Sequence, residues 1–312
     1  MPNLIVPGAG GFIGVNLLRR IMFDRQFDRF ERFVLIDPLS YGTQTIPQEV
    51  LADSRVRFER ASIYTPGLVA DLVGPGDVVI HLAAEINTAD SPQMGVADDP
   101  VGYLRALTDA RIGRLLFVST ADVYGINDSD DLTETDPVHP TTLYAAAKAA
   151  FEAYLSAFHA RDGLPVVVLR PVTIYGPHQQ PGWLVPVAIT RALAGESIAI
   201  YGDGTARRDW IHVYDMCEVL VRGALTEAEV HGQVFNVGTG TEETVAALVH
   251  RIIDSVADPR VVVEYTAARP GDPPRQITSA SKARHAFGWS PSRTLSAGLE
   301  HTIDAYRRAH TG

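Results

Sequence analysis

Cysteine and long apolar runs are both scarce in this chain of 312 residues. The single cysteine, Cys217, excludes an internal disulfide and fits a reducing compartment such as the cytosol. No apolar run approaches the roughly 18 residues that a membrane-spanning helix needs. The short apolar start runs directly into glycines, which is unlike a signal peptide. We therefore expect a soluble, cytoplasmic protein with no membrane partner.

Positive charge is also in short supply, with 27 Lys and Arg against 37 Asp and Glu and a formal net charge of -10. Such a surface repels phosphate backbones, so we expect no nucleic-acid partner. The ten histidines are scattered without the spacing of a tetrahedral site. We therefore expect no metal, which argues against a metal hydrolase.

The first half of the chain alternates short apolar runs with spacers of helical length. The runs are rich in Val, Ile, Leu and Phe and alternate little, as parallel strands buried on both faces do. Strands are predicted at residues 3–6, 32–36, 56–60, 77–81, 115–119 and 166–170, and helices at 14–22, 99–110 and 144–160. Repeated strand–helix units predict an α/β fold, a Rossmann-type doubly wound parallel sheet.

The pattern changes after residue 170, where Pro and Gly cluster in three segments. Helices recur at residues 184–194, 213–225, 245–256 and 296–308. We predict a Rossmann domain over residues 1–170, with later elements near 211–240 returning to it. Residues 171–312 are predicted to form a smaller mixed α/β lobe.

A glycine-rich turn follows the first predicted strand. Gly8, Gly11 and Gly14 have the spacing G-x-x-G-x-x-G and precede a predicted helix. Glycine permits positive φ and leaves room for a pyrophosphate, which the helix N-terminus attracts. Asp37 ends the second predicted strand about 20 residues further on, where a carboxylate binds the ribose of a dinucleotide. Such a carboxylate repels a 2′-phosphate, so NAD is the expected cofactor rather than NADP.

A second group of residues predicts chemistry beside that cofactor. Tyr144 and Lys148 lie one helical turn apart, and Thr120 follows a predicted strand at the sheet edge where ligands bind. As a phenolate, Tyr144 would take the proton of a sugar hydroxyl while hydride leaves to NAD, and Thr120 would orient that hydroxyl. We expect Lys148 and the positive nicotinamide to lower the pKa of Tyr144 toward neutrality.

These segments resemble the extended short-chain dehydrogenase/reductase family, in its nucleotide-sugar epimerase/dehydratase branch, over nearly the whole chain. The matching segments are GAGGFIG at 8–14, HLAAE at 81–85, STADVYG at 119–125, the Tyr144/Lys148 pair, IYGP at 174–177, YGDG at 201–204, RDW at 208–210, FNVG at 235–238 and RPGD at 269–272. The resemblance implies an NAD-dependent enzyme of antibiotic or polysaccharide biosynthesis that acts on a nucleotide sugar, with a UDP-sugar favoured. It also implies a homodimer through a four-helix bundle of the helices at 99–110 and 144–160.

The resemblance further implies which residues contact the ligands. Cofactor contacts are expected from Gly8, Gly11, Phe12, Ile13, Gly14, Asp37, Leu82, Ala83, Ala84, Tyr144, Lys148 and Pro171. Substrate contacts in the lobe and beside it are expected from Glu85, Thr173, Leu184, Tyr201, Arg208, Arg269 and Asp272. Arg208 and Arg269 would bind the diphosphate through their guanidinium forks. Tyr201 would lie near the nucleobase, Asp272 near its ribose, and residues 88–98 would form a loop over the cofactor.

The two residues after Thr120 bear on the reaction. All branches first oxidise the hydroxyl at position 4 of the sugar. The resemblance implies Asp then Glu at these two positions in 4,6-dehydratases and small residues in epimerases, whereas this chain has Ala121 and Asp122. Asp122 favours removal of the position-5 proton, and Ala121 argues against ordinary acid-assisted water loss. We expect a dehydratase, a lyase, in which Asp122 carries that proton to the leaving 6-hydroxyl.

Three alternatives stay open. A dehydratase resembling the UDP-N-acetylglucosamine 5,6-dehydratase of tunicamycin biosynthesis would return hydride to position 4 and leave a 5,6-alkene. A 4-epimerase of UDP-glucose or UDP-N-acetylglucosamine, an isomerase, would leave Asp122 as a capping or surface carboxylate. A non-catalytic NAD-sensing protein on the same fold often loses the Tyr or the Lys, and this chain keeps both.

Overall fold

The computed structural model describes residues 1–40, 45–84, 99–127, 129 and 131–311. Two predictions, the substrate contact of Glu85 and the loop at 88–98, lie outside the described residues. Within the described ranges, no helix combines the length and the apolar character needed to cross a membrane.

The described part of the chain alternates strands and helices through its first half, as predicted. The strands are β1 (Leu4–Pro7), β2 (Phe33–Ile36), β3 (Val56–Glu59), β4 (Val78–His81), β5 (Arg114–Val118), β6 (Val166–Pro171), β7 (Thr173–Tyr175), β8 (Ile198–Tyr201), β9 (Arg207–His212), β10 (Gln233–Val237), β11 (Glu242–Thr244), β12 (Val263–Thr266) and β13 (Arg275–Gln276). The helices are α1 (Phe12–Ile21), α2 (Gln48–Leu51), α3 (Leu68–Leu72), α4 (Pro100–Asp109), α5 (Leu143–Asp162), α6 (Leu184–Ala194), α7 (Val213–Leu225), α8 (Val245–Val256), α9 (Ser281–Phe287) and α10 (Leu295–Thr311). Two 3-10 turns, Arg25–Arg29 and Ala121–Tyr124, complete the set in the described ranges.

Seven of these strands form one parallel sheet in the order β3-β2-β1-β4-β5-β6-β10. The strand order reverses between β1 and β4, which is where doubly wound sheets bind their ligands. The sheet confirms the predicted Rossmann-type α/β fold.

Helices cover both faces of this sheet, because its strands are apolar on both sides. Leu4 and Val6 of β1 point into one core with side chains of α1 and α7, whereas Ile5 points into a second core with side chains of α4 and α5. This burial on both faces explains why the strands read as continuous apolar runs.

The second half contributes a smaller mixed sheet in which β9 is central. β11 pairs with it antiparallel, while β7 and β13 pair with it in parallel. β8 and β12 form a separate parallel pair, and a third core lies among α6, α8 and α10. Pairing of β10 with β6 returns the chain to the large sheet, and α7 packs on α1. The domain boundary at residue 170 stays a prediction.

Candidate active site

The glycine turn after β1 packs directly against the segment that follows β4. Gly8 has a φ of +82°, and a Cβ built on it would lie 2.6 Å from the backbone nitrogen of Ala83. A Cβ on Gly14 would lie 2.5 Å from the carbonyl oxygen of Gly8. The turn, the start of α1 and the segment after β4 therefore approach one another too closely for side chains at these two glycines.

The N-terminus of α1 opens at this same point of the sheet. Gly11 begins the helix without a capping side chain, and the first turn, which includes Phe12 and Ile13, has no acidic residue. Its N–H groups and the positive end of its dipole suit an anion such as a pyrophosphate.

Asp37 lies buried at the carboxyl end of β2, against the glycine turn. Its Oδ2 accepts a hydrogen bond from the Gly10 nitrogen at 2.9 Å, and its Oδ1 accepts one from the Leu39 nitrogen at 2.7 Å. The carboxylate thus positions the turn and retains lone pairs that can accept ribose hydroxyls. Glycine turn, uncapped helix and carboxylate together fit a dinucleotide.

Lys148 is anchored at the carboxyl end of β5. Its buried Nζ donates to the Val118 carbonyl at 2.8 Å and lies 4.8 Å from the centre of the Phe117 ring. Burial lowers the pKa of Lys148 to about 8, and the negative charge of Glu152 opposes that shift. The ammonium therefore lies beside the strand that leads into Thr120.

Tyr144 lies at the start of α5, where Thr142 caps the helix by accepting from the Ala145 nitrogen at 3.2 Å. Burial raises the pKa of Tyr144 far above its ordinary value, and the negative charge of Asp122 adds to this. The chain's own groups therefore do not produce the lowering that the sequence led us to expect from Lys148, whose ammonium donates to a backbone carbonyl. Ionisation of Tyr144 needs a further positive charge, such as a bound nicotinamide would bring.

Thr120 and Asp122 belong to one local motif. The Oγ1 of Thr120 accepts from the Asp122 nitrogen at 3.2 Å and starts the 3-10 turn Ala121–Tyr124. The Oδ1 of Asp122 accepts from Nε2 of Gln276 at 2.8 Å. Burial raises the pKa of Asp122, while the bond from Gln276 and the charge of Arg208 oppose the rise. Asp122 therefore has a hydrogen-bond donor and a positively charged group near a carboxyl group that burial withdraws from water.

The structure brings four of the predicted substrate residues together in two pairs. Arg208 on β9 is near enough to Asp272 for the carboxylate to raise the guanidinium pKa, although burial lowers it more. The guanidinium of Arg269 stacks 3.9 Å from the centre of the Tyr201 ring, which is half-exposed. Thr141 donates to the Gly271 carbonyl at 2.8 Å. The segment that carries Arg269 and Asp272 therefore lies beside the start of α5.

The remaining predicted site residues lie at element ends. Thr173 begins β7 opposite Trp210 of β9, and Leu184 begins α6. Leu82, Ala83 and Ala84 follow β4 half-buried, and buried Pro171 ends β6.

Two groups of residues in the site escaped the sequence analysis. Glu152 accepts from Ser119 and from Arg170, whose Nη2 lies 2.6 Å from its Oε2, and Arg170 also donates to the Tyr124 hydroxyl at 2.9 Å. The signal for Glu152 was its place one helical turn after Lys148, on the same face of α5. Gln276 had no such signal, because its contact with Asp122 depends on how β13 pairs.

Comparison with known proteins places this geometry in a family. The sequence profile of the NAD dependent epimerase/dehydratase family matches residues 4–238. A dTDP-glucose 4,6-dehydratase of Streptomyces niveus is 33% identical over an alignment that covers 98% of this chain and 93% of that protein.

Solved structures agree with the sequence matches. DesIV, a dTDP-glucose 4,6-dehydratase of Streptomyces venezuelae crystallised with NAD, has a TM-score of 0.89 at 30% identity, over 99% of this chain and 98% of that one. UDP-glucuronic acid 4-epimerase of Bacillus cereus, in complex with UDP-glucuronic acid and NAD, has a TM-score of 0.91 at 26% identity. The match covers 98% of this chain and 99% of that one. The predicted resemblance and the NAD cofactor are thereby confirmed, and the chain belongs to the NAD dependent epimerase/dehydratase family.

Proposed function

We propose that this protein is an NAD-dependent dehydratase of a nucleotide hexose that works through a 4-keto sugar. The observation that supports this proposal is the position of Asp122, a carboxyl group close enough to Tyr144 for its charge to raise the pKa of the phenol. Because Asp122 lies in the turn that Thr120 starts and its charge acts on Tyr144, it could act on the sugar carbon next to the one that Tyr144 helps to oxidise. Dehydration needs such a group, and simple epimerisation does not.

The cofactor would be held by the glycine turn, the start of α1, Asp37 and the segment Leu82–Ala84, with Pro171 at the end of β6 as a further contact. When bound, NAD supplies the acceptor for hydride from position 4 and later its donor. A Cβ at Gly8 or Gly14 would collide with the protein's own backbone, so the turn keeps this close packing only with glycine at both positions.

The first step assigned to the chain's own residues is removal of the 4-hydroxyl proton. Thr120 orients the hydroxyl, and the phenolate of Tyr144 accepts its proton. The chain alone raises the pKa of Tyr144, so the positive charges of Lys148 and of the bound cofactor must favour the phenolate. Tyr144 thus becomes an effective base only in the loaded enzyme.

The second step belongs to Asp122. Its carboxylate takes the proton from position 5, and the electrons of that C–H bond form a double bond to position 6. The bond from position 6 to its oxygen breaks, and the proton held by Asp122 goes to the leaving hydroxyl, which departs as water. Return of the hydride to position 6 with a proton from water at position 5, or to position 4 with the proton on Tyr144 going back to the 4-oxygen, completes a net loss of one water. Because Ala121 offers no second acid, one carboxyl group performs both transfers.

The nucleotide would lie against the smaller sheet. Arg208 and Arg269 bind the diphosphate, while Tyr201 and Asp272 contact the nucleobase and its ribose. Thr173, Leu184 and Glu85 would complete the contacts. We propose a pyrimidine nucleotide, with a UDP-hexose such as UDP-N-acetylglucosamine as first choice and dTDP-glucose, the sugar nucleotide in the names of several relatives, as second.

A 4-epimerase is the second candidate, and two observations favour it. Ala121 is the small residue that the resemblance implies for epimerases, and the fold is similar to that of the Bacillus cereus 4-epimerase. In that reading Asp122 orients the sugar and exchanges no proton with it.

The product mass separates the two proposals. The protein with NAD is incubated with UDP-glucose, UDP-N-acetylglucosamine, UDP-glucuronic acid and dTDP-glucose, and the products are read by mass spectrometry and proton NMR. A dehydratase yields a sugar lighter by one water. An unchanged mass with inverted configuration at position 4 would establish the epimerase instead.

We propose in addition that the protein is a homodimer through α4 and α5. These two helices pack side by side, and each exposes an apolar or aromatic side chain, Val101 and Tyr154. Sedimentation equilibrium of wild-type protein and of a Tyr154→Glu variant tests this: we expect a dimer that the variant weakens, whereas a wild-type monomer would contradict it.

A further inference from the structure

Gln276 is a buried amide on the smaller sheet that points at the active-site carboxyl group. Only 3% of its surface is exposed, and its Nε2 lies 2.8 Å from Oδ1 of Asp122. An amide buried to this extent is expected to have a specific partner, because an unpaired polar group there is costly. Its partner is the one carboxyl group to which the proposed function gives two proton transfers.

The backbone around Gln276 is held from two sides. In the parallel pairing of β13 with β9, Gln276 lies opposite Arg208, and Arg207 donates to the Pro274 carbonyl at 2.9 Å. On the other side Leu132 donates to the Ile277 carbonyl at 3.1 Å and accepts from the Ser279 nitrogen at 2.8 Å. The strand is therefore fixed both to the smaller sheet and to the segment after the 3-10 turn that carries Asp122.

The chemistry of an amide suits a carboxyl group that must change its protonation state. A lysine or arginine at this position would stabilise the carboxylate and resist its protonation. An amide offers a donor N–H to the carboxylate and an acceptor oxygen to the protonated acid, so it satisfies both forms without a charge. Two charged groups act on the pKa of Asp122 in opposite directions: Arg208 lowers it and Asp272 raises it.

We infer that Gln276 is the positioning residue of Asp122: its amide holds the carboxyl group toward position 5 of the sugar and remains a partner through both proton transfers. The inference rests on the proposed function, since it assigns a supporting residue to the dehydration step. Gln276 acts on Asp122 alone and has no part in the oxidation by Tyr144.

The test compares Gln276→Met with wild type and with Arg275→Met. Methionine keeps the length of the side chain and removes the hydrogen bond. Arg275 is the neighbouring residue on β13 and binds Glu242 at 2.7 Å, so its variant controls for a general loosening of the strand. Asp122 is titrated in the NAD-bound proteins by carbon-13 NMR of labelled aspartate, with the signal assigned by Asp122→Asn.

We expect the pKa of Asp122 to rise in Gln276→Met, because the bond that the amide donates to the charged carboxylate is stronger than its bond to the neutral acid, and to stay unchanged in Arg275→Met. In heavy water with UDP-N-acetylglucosamine or dTDP-glucose, exchange at position 5 should slow about tenfold more than single-turnover reduction of NAD. The acidic limb of the exchange rate should move to higher pH, and Gln276→Glu, assayed where it is protonated and can donate, should recover part of the rate.

Two results would overturn the inference: an unmoved titration of Asp122 in Gln276→Met, or an equal fall of oxidation and exchange. Failure of the proposed function looks different, because it shows in the wild type. A wild-type protein that reduces NAD with these sugars and never exchanges position 5 would remove the dehydration step, and the role of Gln276 with it.

Discussion

At the cofactor end of the site the backbone does the positioning, whereas at the substrate end side chains from distant segments do it. Gly8 and Gly14 let the turn pack against neighbouring backbone by having no side chain, and Asp37 holds the turn by accepting a hydrogen bond from the Gly10 nitrogen. Asp122, by contrast, depends on Gln276 and Arg208, which come from strands of the second half. The first arrangement is local in sequence and follows directly from a strand–turn–helix unit.

This difference suggests how one fold serves several reactions. The cofactor end tolerates little change, because a single Cβ would collide with backbone. The substrate end can change its chemistry by replacing one side chain, as the presence of Ala121 and Asp122 in place of two acids or two small residues indicates. The predictions below test whether the two ends are separable in this way.

The largest effect is expected from Tyr144→Phe, which removes the proton acceptor and little else. Turnover should fall by about 10²–10⁴, the usual contribution of a positioned acid or base. The affinity for NAD, measured by calorimetry, should stay within about twofold of wild type, since the glycine turn is untouched. A parallel loss of NAD affinity would mean that the two ends are not separable.

The next effect concerns the buried ion pair of Glu152 with Arg170, and Glu152→Gln tests it. The buried Arg170 would lose its carboxylate partner, so we expect the free energy of unfolding to fall by about 3–5 kcal/mol in urea denaturation. The control Asp304→Asn breaks an exposed ion pair with Arg307 and should change the free energy of unfolding by less than about 1 kcal/mol. Equal losses of unfolding free energy in the two variants would show that the buried Glu152–Arg170 pair contributes no more to stability than an exposed pair.

The pH dependence of Lys148 gives the same variant a second readout. Its pKa of about 8 predicts that turnover falls on the alkaline side near that pH, as the ammonium is lost. The charge of Glu152 raises that pKa, so Glu152→Gln should move the alkaline limb to lower pH. The same pKa affects the stability of the wild type. Between about pH 8 and pH 10.5, Lys148 is protonated in the unfolded chain and largely deprotonated in the folded chain. Its contribution to the free energy of unfolding therefore increases as the pH rises through this range. An alkaline limb that stays in place would contradict the coupling.

A smaller effect is expected from Gly8→Ala, for which the chain offers a matched control in Gly67→Ala. Both glycines have a φ close to +81°, but a Cβ meets backbone of Ala83 at Gly8 and nothing within 4 Å at Gly67. We expect a loss of about 1 kcal/mol at Gly67 from backbone strain alone and roughly 2–3 kcal/mol at Gly8. Only Gly8→Ala should weaken NAD. If both variants lost a similar free energy of unfolding and bound NAD normally, the close approach of Gly8 to the backbone of Ala83 would not matter for stability or for NAD binding.

The smallest effect is expected from Asp37→Ala. The carboxylate favours a ribose with free hydroxyls over one with a 2′-phosphate. In Asp37→Ala the affinity for NAD should therefore fall by about tenfold and the affinity for NADP by less. Asp37→Asn keeps an acceptor oxygen for the N–H of Gly10 or Leu39 but removes the negative charge. Comparison of the two variants therefore distinguishes the loss of the hydrogen bonds to the backbone from the loss of charge repulsion toward a 2′-phosphate. Equal losses of NAD and NADP in both variants would count against a ribose contact.

The limits of the sequence analysis follow the same division. The strands of the first half lie within two residues of their predicted bounds, because parallel strands buried on both faces show as continuous apolar runs. The strands of the second half were missed. They have two to six residues, are often half-exposed, and are paired with partners far along the chain.

The site divides likewise. The close packing around Gly8 and Gly14 and the position of Asp37 followed from spacing, because they arise within the consecutive elements β1, α1 and β2. Gln276 did not, because its position opposite Asp122 follows from the pairing of β13 with β9, which no local pattern indicates. The pKa of Tyr144 escaped for a related reason, since in the folded chain it is raised by burial and by Asp122 and is not lowered by the lysine one turn away.

The central claim, that Asp122 removes the proton at position 5, has a direct test in heavy water. Wild-type protein and Asp122→Asn are incubated with NAD and the sugar nucleotide that the wild type converts, and deuterium at position 5 is followed by NMR while reduced NAD is followed by absorbance. We predict that the variant still reduces NAD and that its exchange at position 5 falls by about 10² or more. Exchange at the wild-type rate in Asp122→Asn would contradict the claim.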